Sequence, residues 1–208
     1  MFDALGAEYE RAFGELPAHH ASLDRLLAGL PPGSRILDVG SGTGRPAAAR
    51  LSGAGHTVLG VDASPVMVDL ATRQVPGATF RHVDIRELPL EEGEFDAVCV
   101  YFSLLQMDRT EQAALLRRLA LALRPGGYLA VATIPLDVEG LEVDFMGQPV
   151  RLTSFGAEEF TALIEESGLT VEWRQSDVFV PDHPEATPEP QLFLHARRPG
   201  GRVPAGPS

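Results

Sequence analysis

Short apolar runs alternate along this chain with segments of helical spacing. The runs at 35–39, 57–62, 79–84, 95–101 and 128–134 predict strands. Between them, 46–52, 65–74 and 109–123 predict helices. Ser64-Pro65 sets a capping hydroxyl just before a proline suited to a first helical turn. Leu115, Leu116, Leu119 and Leu123 recur at helical spacing, which predicts one buried face. Pro125-Gly126-Gly127 is expected to stop that helix and turn the chain into the next strand. Strands and helices that alternate along the chain predict an α/β architecture, a parallel sheet covered by helices on both faces.

The pattern changes after Ile134. Residues 135–153 contain Gly140, Gly147 and Pro149 between short β-like pieces, and predict a hairpin or lid-like excursion. A helix at 157–167 is expected to end at Gly168, followed by strands at 169–173 and 191–197 that pair antiparallel. The proline-rich stretch 181–190 connects them, and 199–208, made of glycine, proline and small polar residues, is expected to be a disordered tail. Residues 1–198 are read as one domain, with 1–30 as an N-terminal helical lid.

Composition narrows the partners. At 208 residues with 44% hydrophobic and 22% charged residues, the chain can bury a full core. No apolar stretch approaches the roughly 20 residues that cross a bilayer, and the N-terminus lacks a signal-peptide pattern, so no membrane partner and a cytoplasmic location are expected. A net charge of −12, with 17 basic against 29 acidic residues and no dense basic cluster, argues against nucleic acid. Cys99 is the only cysteine, inside an apolar run, and reads as a buried small hydrophobe. No His/Asp/Glu spacing supports a metal site. Oligomeric state is left open.

The chemistry concentrates between Arg35 and Asp62. Asp38-Val39-Gly40-Ser41-Gly42-Thr43-Gly44 follows the first strand, and its glycines allow a sharp turn and close approach of a ligand to the backbone. Asp62 closes the second strand, where a carboxylate can accept from a ribose diol. Asp38, Asp62, Asp84 and Tyr101 all fall at the ends of successive predicted strands, so they converge on one crevice. Three acids there suit a ligand with cationic and hydroxyl donors and repel a pyrophosphate. A dinucleotide fingerprint would also need a small residue in the sixth place of the turn, where this chain has Arg45. Each acid taken singly can instead cap a turn, Tyr101 can be core, and Met67 can be a core filler.

Asp38–Gly44, then Val61-Asp62-Ala63-Ser64-Pro65-Val66-Met67, then Val83-Asp84, then Leu123-Arg124-Pro125-Gly126-Gly127, in that order and spacing, resemble the successive motifs of class I S-adenosylmethionine-dependent methyltransferases. The resemblance implies a Rossmann-like doubly wound, mostly parallel seven-stranded sheet with an antiparallel last strand. It also implies S-adenosyl-L-methionine as cofactor and a small molecule as methyl acceptor. By position, Asp38, Gly40, Ser41 and Gly42 would line the methionine part, with Asp38 meeting its ammonium group. Asp62 would bind the ribose hydroxyls, Ala63 and Met67 would pack beside the adenine, and Asp84 with the Ile85 backbone would meet its edge. Tyr101 would lie by the transferable methyl, and Tyr9 is similar to a tyrosine that closes over the cofactor.

A catalytic base is less legible. Tyr101 and His183, the latter in the proline-rich connection, are the candidates; His19-His20 reads as a solvated turn, because neighbouring histidines on a helix face different ways. The acceptor pocket is expected from Phe2, Tyr9 and Phe13, from Tyr101, Phe102 and Gln106, and from the excursion between Phe145 and Phe155. These aromatics imply a partly apolar acceptor. Two rivals remain: a protein that keeps the cofactor but catalyses a cyclisation or decarboxylation, and a non-catalytic nucleoside-binding protein.

Overall fold

The computed structural model describes residues 16–180 and 187–200. In chain order these form α1 (Pro17–Gly29), β1 (Arg35–Val39), α2 (Ala47–Gly53), β2 (Thr57–Asp62), α3 (Pro65–Gln74), β3 (Thr79–His82), β4 (Phe95–Tyr101), α4 (Arg109–Ala122), β5 (Leu123–Thr133), β6 (Val138–Phe145), β7 (Gln148–Ser154), α5 (Ala157–Glu166), β8 (Thr170–Phe179) and β9 (Glu189–Arg197). Seven strands make one sheet in the order β3-β2-β1-β4-β5-β9-β8, and β6 and β7 pair separately. Strands β3, β2, β1, β4 and β5 run parallel, while β9 is antiparallel to both its neighbours. This is the Rossmann-like doubly wound sheet with an antiparallel last strand.

The central strands carry apolar side chains on both faces because helices cover both. On one face Leu37, Val39, Val98, Val100, Leu129 and Val131 pack under α4 and α5. On the other, Ile36, Val58, Ala97, Cys99, Ala130 and Phe193 pack under α1 and α2. Local signals fix the helix starts. Ser64 Oγ accepts from the Met67 N–H at 3.1 Å with Pro65 in the first turn of α3. Asp108 and Glu111 form a reciprocal capping box on α4.

Three boundaries differ from those expected. α4 ends at Ala122, and β5 begins at Leu123, so Pro125-Gly126-Gly127 lies inside the strand at a register shift opposite Phe95 and Ala97 rather than in a turn. β3 stops at His82, two residues before Asp84. β8 extends to Phe179 because β9 pairs with it all the way from Glu189. The excursion is a β6–β7 hairpin closed by Met146 and Gly147, both at positive φ (53° and 74°), as two-residue hairpin turns require. Its base is fastened to the body: Thr153 N–H donates to Leu105 O at 2.8 Å, and Gln112 Nε2 donates to Thr153 O at 3.0 Å.

Candidate active site

The strand order reverses between β1 and β4, and the carboxyl ends of the strands there open into a cleft of about 640 Å³. Gly40, Gly42, Asp62, Ala63, Met67, Asp84, Ile85 and Tyr101 all line it. Asp38 and Ser41 do not; they are buried immediately below the turn, at 3% and 8% exposure. Tyr9, His183, Phe2 and Phe13 lie outside the described residues.

The glycine turn is held from β2. The Gly40 and Ser41 N–H groups donate to Val61 O at 2.8 and 3.0 Å, and the Gly42 N–H donates to Asp62 Oδ2 at 2.9 Å. Ser64 N–H donates to the other oxygen, Asp62 Oδ1, at 2.8 Å. The carboxylate is therefore oriented by a backbone N–H on each of its oxygens. Gly40 has φ +65°, and a Cβ there would sit 2.2 Å from Ser103 Cβ. Gly42 has φ +52°, with no protein atom within 4 Å of a Cβ, so its open side faces space a ligand can take.

At this turn two buried polar atoms, Asp38 Oδ2 and Ser41 Oγ, have no hydrogen-bond partner among the described residues. Asp38 sits between Gly60 and Cys99 in register. Burial, and secondarily the charge of Asp62, raises its pKa from 3.8 to about 7, with an Ala48 amide bond pulling the other way. Among the described residues no cation pairs with this carboxylate. This fits an ammonium-bearing ligand on the turn.

The Asp84 carboxylate, beyond the end of β3, is gripped by Arg86, whose Nε lies 3.0 Å from each oxygen. That ion pair holds Asp84 below the ordinary carboxylate range, and Arg86 is tied in turn to Glu111 at 2.6 Å. Nothing in the local sequence pattern marked Arg86 as the partner. Tyr101 is 9% exposed, and its hydroxyl is bonded to Ser22 Oγ at 3.0 Å, which is bonded to His195 Nε2 at 2.8 Å. Burial first of all raises the Tyr101 pKa well above 10, so the phenol is neutral. His19 is not in a solvated turn: it lies on α1 with its ring 4.0 Å from that of Tyr101, and burial lowers its pKa to about 3.

Phe102 follows at φ 57°, a left-handed conformation that is strained for an aromatic residue. Its ring stands edge-on to Phe193 at 5.6 Å. The far wall of the cleft is mainly apolar: Ile134 and Leu136 after β5, with Val143, Phe145, Val150 and Leu152 of the hairpin, beside the charged Asp144 and Arg151. Gln106 also lines it, whereas Phe155 turns away into the core beside Phe160. Among the described residues no His/Cys/Asp/Glu cluster is placed to hold a metal ion, and no helix is long and apolar enough to cross a membrane.

A glycine turn at a sheet's switch point, flanked by acids at successive strand ends, defines a nucleoside-binding α/β protein. The comparisons with known proteins make this specific. Residues 36–127 match the profile of a family described as "Methyltransferase domain". An uncharacterized methyltransferase of Synechocystis is 34% identical over 121 residues, 58% of this chain and 56% of that protein. A demethylmenaquinone methyltransferase of Clavibacter sepedonicus is 33% identical over 180 residues, 79% of this chain and 72% of that protein. The crystal structure of the Burkholderia thailandensis 1,6-didemethyltoxoflavin-N1-methyltransferase with S-adenosylhomocysteine superposes with a TM-score of 0.72, at 24% identity, over 95% of this chain and 85% of that one. The chain belongs to the class I S-adenosylmethionine-dependent methyltransferase family, whose cofactor is S-adenosyl-L-methionine. It spans only 56% of the length of the first of these relatives.

Proposed function

We propose that the protein transfers a methyl group from S-adenosyl-L-methionine to a small, partly apolar acceptor. The observation that carries this reading is the division of the cleft. One half is rimmed by Asp62 and Asp84 over the glycine turn, and the other is walled by Leu136, Val143, Phe145, Val150 and Leu152. A net charge of −12 also disfavours a polyanionic acceptor. The Clavibacter relative, named for an apolar quinone, is consistent with such a wall.

In the cofactor half, Asp38 would meet the ammonium group, gaining a cation for its buried oxygen. Gly40, Ser41 and Gly42 would lie along the methionine part, and Asp62 would accept from the ribose hydroxyls. Asp84, fixed by Arg86, would accept from the adenine amino group, with Ala63, Met67 and Ile85 around the ring. Tyr101 would mark the methyl end; with its hydroxyl committed to Ser22, it serves there by shape rather than by titration. The cofactor supplies the methyl as an activated electrophile. The chain's residues then need only align a nucleophile and exclude water, and such positioning can lower a barrier by up to roughly 7–11 kcal/mol.

Incubation with methyl-labelled cofactor and a panel of quinols, phenols, a protein mixture and RNA tests this reading. Labelled aromatic product and no labelled macromolecule is the expected result. Label only in protein or RNA would refute it.

A further inference from the structure

β9 presents to the cleft two polar groups that none of these roles uses. Gln191 on β9 is 1% exposed, lines the cleft, and leaves Oε1 without a hydrogen-bond partner among the described residues. An unpaired buried carbonyl oxygen is costly to leave desolvated, a penalty that an incoming donor relieves. Glu189, two residues earlier, therefore lies on the same face of β9 and also lines the cleft. That face continues through Phe193 to His195 under α1. β9 is two strands from β4, or about 10 Å at the usual strand spacing. Both groups thus stand on the acceptor side of Tyr101 and Phe102, away from the acidic rim.

Resting on the methyltransferase reading above, we propose that Glu189 and Gln191 are the pair that recognises the acceptor, and that they select a hydroxyl-bearing ring. Gln191 Oε1 accepts a hydrogen bond from the hydroxyl of the bound ring, and Glu189 beside it takes that proton as the oxygen is methylated. The hydroxyl oxygen bonds to the methyl carbon, the sulfur–methyl bond breaks with its electron pair on sulfur, and the proton passes to the carboxylate. The products are an ether, a thioether and a neutral carboxyl. Burial raises the Glu189 pKa above the ordinary glutamate value, which favours proton uptake by its carboxylate. The other charged groups along the cleft are Asp144 and Arg151 on the hairpin and Asp62, Asp84 and Arg86 on the far rim; Asp177 of β8 stands opposite Gln191 in register. None of these charges is a cause of the Glu189 shift, which comes from burial.

The test uses the protein saturated with S-adenosylhomocysteine and two probes, 4-nitrophenol and 4-nitroanisole, which differ only in the donor. Wild type should bind 4-nitrophenol about tenfold more tightly or better, equivalent to one charge-assisted or buried hydrogen bond. Gln191→Leu and Gln191→Met both remove the acceptor oxygen. Whichever retains wild-type affinity for S-adenosylhomocysteine should lose the preference. The visible phenolate band of bound 4-nitrophenol should appear about one pH unit lower in Glu189→Gln than in wild type, because no second negative charge is then made beside the first. Equal affinity of wild type for the two probes, or an unmoved phenolate band, overturns the pair while leaving the apolar acceptor reading intact. Binding of neither probe by wild type overturns both.

Discussion

Replacing Asp38 by Asn removes the one buried carboxylate beneath the glycine turn while keeping its shape. Folding raises the pKa of Asp38 from 3.8 to about 7, a shift of roughly three units or about 4 kcal/mol. The folded chain therefore holds this proton more tightly than the unfolded chain. Below about pH 4 both states are protonated and the group costs nothing. As pH rises toward 7 the folded state must ionise a desolvated carboxylate beside Asp62, and that stability is lost. Urea denaturation of cofactor-free wild type and Asp38→Asn between pH 4 and 8 should give a stability difference that grows with pH in favour of the variant. It should reach about 4 kcal/mol and level off above pH 7, with unchanged m-values. Cofactor affinity should behave oppositely. The wild type should bind S-adenosylhomocysteine about tenfold more weakly per pH unit below 7, since binding the ammonium requires the ionised form, and the variant should bind weakly at every pH. A stability difference that does not vary with pH would refute the reasoning.

Asp62→Ala should weaken S-adenosylhomocysteine binding by calorimetry about tenfold or more, whereas Asp108→Ala, which removes only the α4 cap, should cost about 1 kcal/mol of stability and leave affinity within about twofold. Gly40→Ala drives a Cβ into Ser103 at positive φ, so thermal unfolding should show a loss of several kcal/mol; Gly42→Ala, with open space around it, should lose about 1 kcal/mol and mainly impair cofactor binding. At 100 times its dissociation constant, S-adenosylhomocysteine should stabilise the protein by about 2.7 kcal/mol and NADH by nothing measurable. Phe145→Ala should reduce binding of an aromatic acceptor while leaving cofactor affinity unchanged, because it belongs to the apolar wall alone.

Much of the cofactor half was legible along the chain. β1, β2, β4 and α3 fall where the apolar runs and the Ser64-Pro65 cap put them, because a strand buried on both faces leaves an unbroken apolar run and a cap is a contact three residues long. The acceptor half was less so. Glu189 and Gln191 fall in or beside a proline-rich stretch whose composition suggests a connection, and only pairing with β8 turns it into strand. Arg86 lies only two residues from Asp84, but it is fixed there by Glu111, 25 residues further on, and no local pattern marks that second contact. His19 and His20 are equivalent in the sequence; the packing of α1 on β4 buries the first against Tyr101. Tyr101 lines the cleft as its place at the end of β4 suggested, but the bond of its hydroxyl to Ser22, 79 residues away on α1, had no local signal.

The sequence by itself determined the run of strands and helices that makes a parallel sheet, and the glycine turn after the first strand, while the doubly wound order came from the resemblance to the methyltransferase family. The strands and the turn follow from periodicity and from backbone conformations set within a few residues. Tertiary structure decided which buried oxygens of Asp38, Ser41 and Gln191 lack partners among the described residues, and which half of the cleft is mainly apolar. Desolvation and hydrogen-bond satisfaction depend on side chains brought together from distant strands, and no local pattern encodes them.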